Sequence, residues 1–196
     1  KPIAQIIAKE LGTHGFLAND AALGALGEAQ FGAGRGRGIV AFLTISTGVG
    51  GARTVNGEID EASLGFEPGH QIIDADKTLC PDCDGNDLES YIGGRSLAQR
   101  YKKEKPYEVK DERVWNEELP QFLAYGLHNI IVHWSPDIIV LGGPMVVGDP
   151  AISIPETARR LAEIPWESGA IPPIVKAELG TLSGLYGAMA YLKERM

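Results

Sequence analysis

The chain has 196 residues, a formal net charge of −8 and 44% hydrophobic residues, an ordinary globular composition with room for one large domain or a lobe and a half of a larger one. Its acidity excludes a nucleic-acid surface built on clustered Lys and Arg; the densest basic stretch, Lys102 to Lys105, is broken by Glu104 and reads as a solvated helix end. No apolar run reaches transmembrane length and no signal peptide opens the chain, so no membrane partner is expected, and a lone pair of cysteines, Cys80 and Cys83, suits a reducing cytoplasm better than a secreted disulfide framework.

A helical pattern starts at once after Lys1, with Ile3, Ile6, Ile7 and Leu11 on one face. So abrupt an opening reads as a chain whose front lies elsewhere. Gly12 stops this helix. Asn19-Asp20 then opens a second helix, Ala21 to Phe31, because Asn and Asp favour a helix start. Gly32 to Gly38 is a flexible connector and the best boundary between lobes. Ile39 to Ser46 is rich in strand formers; a Gly-rich turn follows, then a strand at Arg53 to Val55 and a hairpin turn at Asn56-Gly57.

The stretch from Glu58 to Asp87 reads as loop-rich. Leu88 to Tyr101 is helical with an interruption at Gly93-Gly94. Val114 to Trp134 is an amphipathic helical region that Pro120 is expected to break, leaving Gln121 to Trp134 as its firm part. Ile138 to Leu141 is a buried strand by its unbroken apolar run, closed by Gly142-Gly143. A helix at Ile154 to Ala162, a strand within Pro172 to Leu179 and a last helix at Leu182 to Arg195 complete an alternating α/β order.

Five places carry chemistry. Ser46-Thr-Gly-Val-Gly-Gly51 joins two strands, and glycines there let backbone N–H groups approach a phosphate; a tight β-turn explains the same residues. Gly142-Gly143 follows a buried strand, where ligands of open α/β sheets sit, and equally is a plain strand end. Asn19-Asp20 is either a helix cap or an amide and carboxylate beside a reacting hydroxyl. Glu67-Pro-Gly-His70 sets two complementary hydrogen-bonding side chains in a loop, which suits neighbouring sugar hydroxyls as well as solvent. Cys80-Pro-Asp-Cys83, ten residues beyond His70, suits zinc but is one ligand short, with Asp82, Asp84 or Asp87 available to complete it; a metal-free loop fits as well.

In this order the segments resemble the ROK family of bacterial sugar kinases and sugar-responsive repressors. The matching pieces are Leu17-Ala-Asn19-Asp20-Ala-Ala, Gly27-Glu28 to Ala33, Leu43 to Gly51, Asn56-Gly57, Glu67 to His70, Leu88-Glu89 to Arg95, Pro136 to Gly143 and Gly184-Leu-Tyr-Gly187. The resemblance implies an α/β, actin-like (ribonuclease H-like) ATPase fold, mainly its carboxyl-terminal lobe. Residues 1–33 would be a remnant of the amino-terminal lobe, 34–180 the second lobe, and 181–196 a return helix. It further implies ATP-dependent phosphorylation of a hexose with ATP and Mg²⁺, in a cytoplasmic homodimer. Asp20 would be the general base, and Asn19, Glu67, His70 and Glu89 would hold the sugar. Thr47, Gly48 and Gly50 would face the phosphates, Gly142 and Gly143 the nucleoside, and His70, Cys80 and Cys83 a zinc ion.

Three departures stand out. The family's amino-terminal phosphate loop, an Asp-x-Gly-Gly-Thr type, is absent, so this chain by itself is expected not to turn over. Ser46 replaces a usual Gly. In the zinc knuckle His70 and Cys80 keep the family spacing, but Asp82 and Asp87 fall at cysteine positions and Cys83 is displaced. The rival expectations are the effector-binding domain of a sugar-responsive repressor and a non-catalytic sugar-binding protein.

Overall fold

The computed structural model describes residues 3–62, 65–165, 169–193 and 195. Its centre is a five-stranded sheet in the order β3-β2-β1-β4-β5. The strands are β1 (Ile39–Ile45), β2 (Val49–Val55), β3 (Glu58–Ile59), β4 (Ile138–Gly142) and β5 (Ile174–Lys176). β1 pairs antiparallel with β2 and parallel with β4, and β4 pairs parallel with β5. The unbroken apolar runs of β1 and β4 follow from this central place: side chains alternate between faces, and both faces are covered.

On one face Val40, Phe42, Ala52, Ile138 and Val140 pack with Ala25 and Ala29 of α2 (Asp20–Phe31). On the other, Ala41, Leu43, Ile45, Ile139 and Leu141 join a larger core with α3 (Leu88–Ile92), α5 (Leu119–Trp134) and α7 (Ile154–Glu163). The last helix, α8 (Ser183–Lys193), lies on α2, and it does so closely: a Cβ on Gly187 would collide with the Leu23 carbonyl, and one on Gly27 with that of Ser183. The expected end of α8 at Arg195 follows Glu194, which lies outside the described residues.

Several expectations shift. Asn19, not Asp20, caps α2: its Oδ1 accepts the Ala22 N–H at 3.0 Å, and Asp20 is the first helical residue. The Gly-rich segment is shorter as a turn than its composition suggests, because Gly50 and Gly51 already pair with Thr44 and Leu43 inside β2. Pro120 breaks nothing. It stands in the first turn of α5, where its missing N–H is not needed, and a π-helical turn at Val114–Glu118 leads in. Gly93 divides the expected 88–101 helix into α3 and α4 (Gly94–Arg100).

Asn56-Gly57 forms its hairpin turn with both residues at positive φ, as a two-residue turn of the I′ kind requires. The first helix, α1 (Ile3–Leu11), has the expected period, but Ile3, Ile6, Ile7 and Leu11 are all exposed. Its apolar stripe meets no core among the described residues.

Candidate functional site

Because β1 and β4 run parallel with Thr44 opposite Gly142, the turns that leave them emerge at the same end of the sheet. This is the carboxyl end, where α/β sheets place ligands. Gly143 has φ +83 and lies so close to the Ile45 backbone that a side chain would strike it. Neither the dihedral nor the space admits another residue. After it begins α6 (Pro144–Val147).

The neighbouring turn, Ser46-Thr47-Gly48, is held from outside. Ser46 O accepts the Gly94 N–H at 2.7 Å and Thr47 O accepts the Arg95 N–H at 3.0 Å. The Val49 N–H donates to Glu89 Oε2 at 2.7 Å. The Thr47 side chain remains exposed.

Asp20 is exposed at the start of α2, with Oδ1 accepting the Ala21 N–H at 2.8 Å. It lines a cavity of about 430 Å³ together with Thr44, Gly143, Pro144 and Thr181. Thr47 lines an adjoining, largely apolar cavity of about 460 Å³ with Arg95, Tyr107, Pro144 and Met145. Pro144 is common to both. Ala21 approaches the β2 side as well, since a Cβ on Gly50 would sit 3.5 Å from its methyl group. The helix start bearing Asp20 and the Gly143 turn therefore share one cavity, and the Thr47 turn lines the next, with Pro144 between them.

Glu67 precedes a 3₁₀ turn at Pro68–His70 that presses on β2, where a Cβ on Gly69 would collide with the Val49 carbonyl. His70 Nδ1 pairs with Asp87 Oδ2 at 3.0 Å, and Asp87 Oδ1 also caps α3 by accepting the Ser90 N–H at 2.9 Å. The hydrogen bond to Asp87 raises the His70 pKa above its ordinary value; burial opposes this, and the charges of Glu89, Asp87 and Glu67 add to it. For Asp87, burial pushes the carboxyl up, but the hydrogen bonds from His70 and Ser90 outweigh it and hold the pKa down.

Glu67, His70 and Glu89 thus share an electrostatic neighbourhood. The residues assigned to sugar do not line a common cavity, however. Asn19 borders one of about 430 Å³ with Asp60 and Phe66, and Glu67 borders one of about 440 Å³ with Asn129, His133 and Trp134.

The zinc expectation fails on the donor set. Cys80 and Cys83 are joined as a disulfide with Cα atoms 5.4 Å apart, so neither sulfur is a thiolate ligand. This also departs from the reduced pair expected from sequence. The Arg100 Nη1 lies 3.2 Å from one sulfur and 2.8 Å from the other, and Nη2 pairs with Glu118. A fixed cation borders the sulfurs, and His70 is committed to Asp87. Among the described residues no group of three or more His, Cys, Asp and Glu could hold a metal.

The loop is instead anchored by Asp74, which accepts from Tyr91 Oη at 2.6 Å and the Leu79 N–H at 2.7 Å. Burial first, then that hydrogen bond, pushes the Tyr91 pKa up to about 12. For Asp74, burial acts upward but the Tyr91, Leu79 and Thr78 hydrogen bonds prevail and lower the pKa. Sequence reasoning offered Asp87 only as a metal ligand, not as the partner of His70, and missed Asp74 and Arg100. Asp87 alone gave a local signal, as an Asp one residue before the α3 run.

The profile of the ROK family matches residues 1–195. The chain is 25% identical over 224 residues to a glucokinase from Thermotoga maritima, the match covering 100% of this chain and 71% of that one. It is 27% identical over 151 residues to a xylose repressor from Bacillus spizizenii, covering 70% and 39% of the two chains. Among solved structures, a ROK hexokinase from Thermus thermophilus superposes with a TM-score of 0.78 at 28% identity, over 99% of this chain and 73% of the other. The fold is thus the actin-like α/β ATPase fold of these kinases, and the chain belongs to the ROK family.

Proposed function

We propose that the chain serves ATP-dependent phosphoryl transfer to a hexose hydroxyl. The observation that carries this reading is the shared cavity of Asp20 and Gly143, flanked by the Thr47 turn. Asp20 is the general base. Its carboxylate takes the proton of the acceptor hydroxyl, a task that needs an exposed oxygen facing the cleft. Asn19, Glu67, His70 and Glu89 orient the sugar, with His70 turned by Asp87 so that Nε2 points away from its anchor. The Thr47 hydroxyl and the side-chain-free positions Gly48 and Gly50 lie toward the phosphates, and Gly142-Gly143 toward the nucleoside.

In support of a nucleotide there, Gly48 and Gly50 carry no side chain and Gly143 admits none. ATP, when bound, supplies the phosphoryl group, with Mg²⁺ spreading the phosphate charge. The protein's part is positioning and proton removal. A cytoplasmic homodimer accords with the reading; no described helix is long and apolar enough to cross a membrane.

The similarity to a xylose repressor favours a second reading, a sugar-responsive effector domain. The retained Asp20 and Thr47-Gly48 favour the kinase. A coupled ADP-release assay of the complete protein with glucose, fructose, mannose and N-acetylated hexoses separates them. Sugar-dependent ADP release is expected; sugar binding with no release on any hexose would support the effector domain instead.

A further inference from the structure

We infer that Glu89 is a positioning residue for the phosphate-side turn, so that one carboxylate links the sugar group to the nucleotide group. The inference rests on the kinase reading and adds a role which that reading does not contain. Glu89 Oε2 accepts the Val49 N–H at 2.7 Å, in a part-buried hydrogen bond between a carboxylate and the backbone amide of a residue that is 4% exposed. The carboxylate lies against Gly48 so tightly that a Cβ there would collide with Oε2.

The main chain of the same segment completes the grip. The Gly93 N–H donates to Glu89 O at 2.8 Å, and the next two N–H groups, of Gly94 and Arg95, hold Ser46 O and Thr47 O. The turn therefore takes its shape from the segment that begins at Glu89, not from the hairpin alone.

Oε1 of Glu89 accepts no hydrogen bond among the described residues. The side chain is half-buried and close enough to His70 for its charge to act there. A sugar hydroxyl donating to Oε1 leaves the bond to Val49 in place and fixes the carboxylate that makes it. Sugar and nucleotide then bind with positive coupling, and the coupling is reciprocal by linkage.

The test is calorimetric titration of the complete protein with a non-hydrolysable Mg²⁺–ATP analogue in the absence of sugar, and separately with its best hexose. For Glu89→Ala, loss of a charge-assisted hydrogen bond is expected to weaken analogue binding about tenfold even without sugar. Glu89→Gln, which keeps an acceptor for the Val49 N–H, should lose less. Gly48→Ala should weaken analogue binding in the parent, where the new methyl displaces the carboxylate, but add little in the Glu89→Ala background.

Unchanged analogue affinity in Glu89→Ala, with sugar affinity reduced, would overturn the inference and leave the kinase reading intact. A parent protein that binds no analogue would overturn both. If Glu89→Ala does not fold by circular dichroism, Gly48→Ala decides: analogue affinity equal to the parent's would sink the inference.

Discussion

Ser183 donates its hydroxyl to Glu28 Oε1 at 2.7 Å across the crossing of α8 and α2, and Glu28 is fully buried there. The same carboxylate accepts the N–H groups of Ala33 at 3.0 Å, Glu178 at 3.1 Å and Leu179 at 2.9 Å. A buried charge persists only when its oxygens are satisfied in this way. The arrangement ties the connector after α2 and the segment after β5 to the helix that begins with Asp20, and so sets one wall of the Asp20 cavity.

Glu28→Ala is therefore expected to destabilise the fold markedly. Each buried donor left without its acceptor costs about 1–3 kcal/mol. The check is urea denaturation, with a lower midpoint and an unchanged slope. Glu28→Gln, which keeps one acceptor oxygen, should fall between. A midpoint within error of the parent's for Glu28→Ala would mean that water replaces the lost oxygens.

Two glycines of α8 should respond with opposite signs. Gly187→Ala puts a methyl group into the Leu23 carbonyl, and forcing the helices apart costs about 1–3 kcal/mol or more. At Gly184 a Cβ meets nothing within 4 Å. Alanine there gains helix propensity of about 1 kcal/mol at most. Thermal melting of the two variants side by side reads the difference.

Replacing Asp20 by Asn in the complete protein keeps the shape and removes the base. Turnover should fall by about 10²-fold or more. The affinities for sugar and nucleotide should stay within about twofold, as for an interaction made only in the transition state. Activity like the parent's would remove Asp20 from the chemistry.

The His70–Asp87 pair predicts a defined titration. His70 should titrate above 6.5 by NMR, and Asp87→Asn should bring it back toward that value. The raised His70 favours the folded state below its ordinary value, and this contribution is lost as pH rises through the folded value. The lowered Asp87 favours it above its own ordinary value, lost as pH falls through the folded one. Both act between those two folded values. The His70 side chain is 61% exposed, so screening keeps the stability effect small and the chemical shift is the better readout.

The disulfide and the metal make competing predictions. Cys80 and Cys83 close a loop of only a few residues, for which the chain-entropy model gives roughly 2 kcal/mol. Reduction should lower Tm modestly. Zn²⁺ added to the oxidised chain should leave Tm unchanged. A Zn²⁺-dependent rise reversed by a chelator would restore a metal site at this loop.

What the sequence determined by itself was local. The order of helices and strands, the buried character of β1 and β4, the Asn56-Gly57 turn and the two glycine turns all follow from period and backbone preference. These depend on neighbours a few residues away. So does the ordered set of motifs that marks the family.

Tertiary structure alone decided the rest. The Val49 amide meets Glu89 forty residues on, and Ser183 meets Glu28 across 155. Arg100, seventeen residues beyond Cys83, borders the sulfurs where spacing suggested a metal. The apolar stripe of α1 had the right period, yet it meets no core among the described residues. Periodicity states which face of an element is apolar. Only packing states what that face meets, and which oxygen of a carboxylate is already taken.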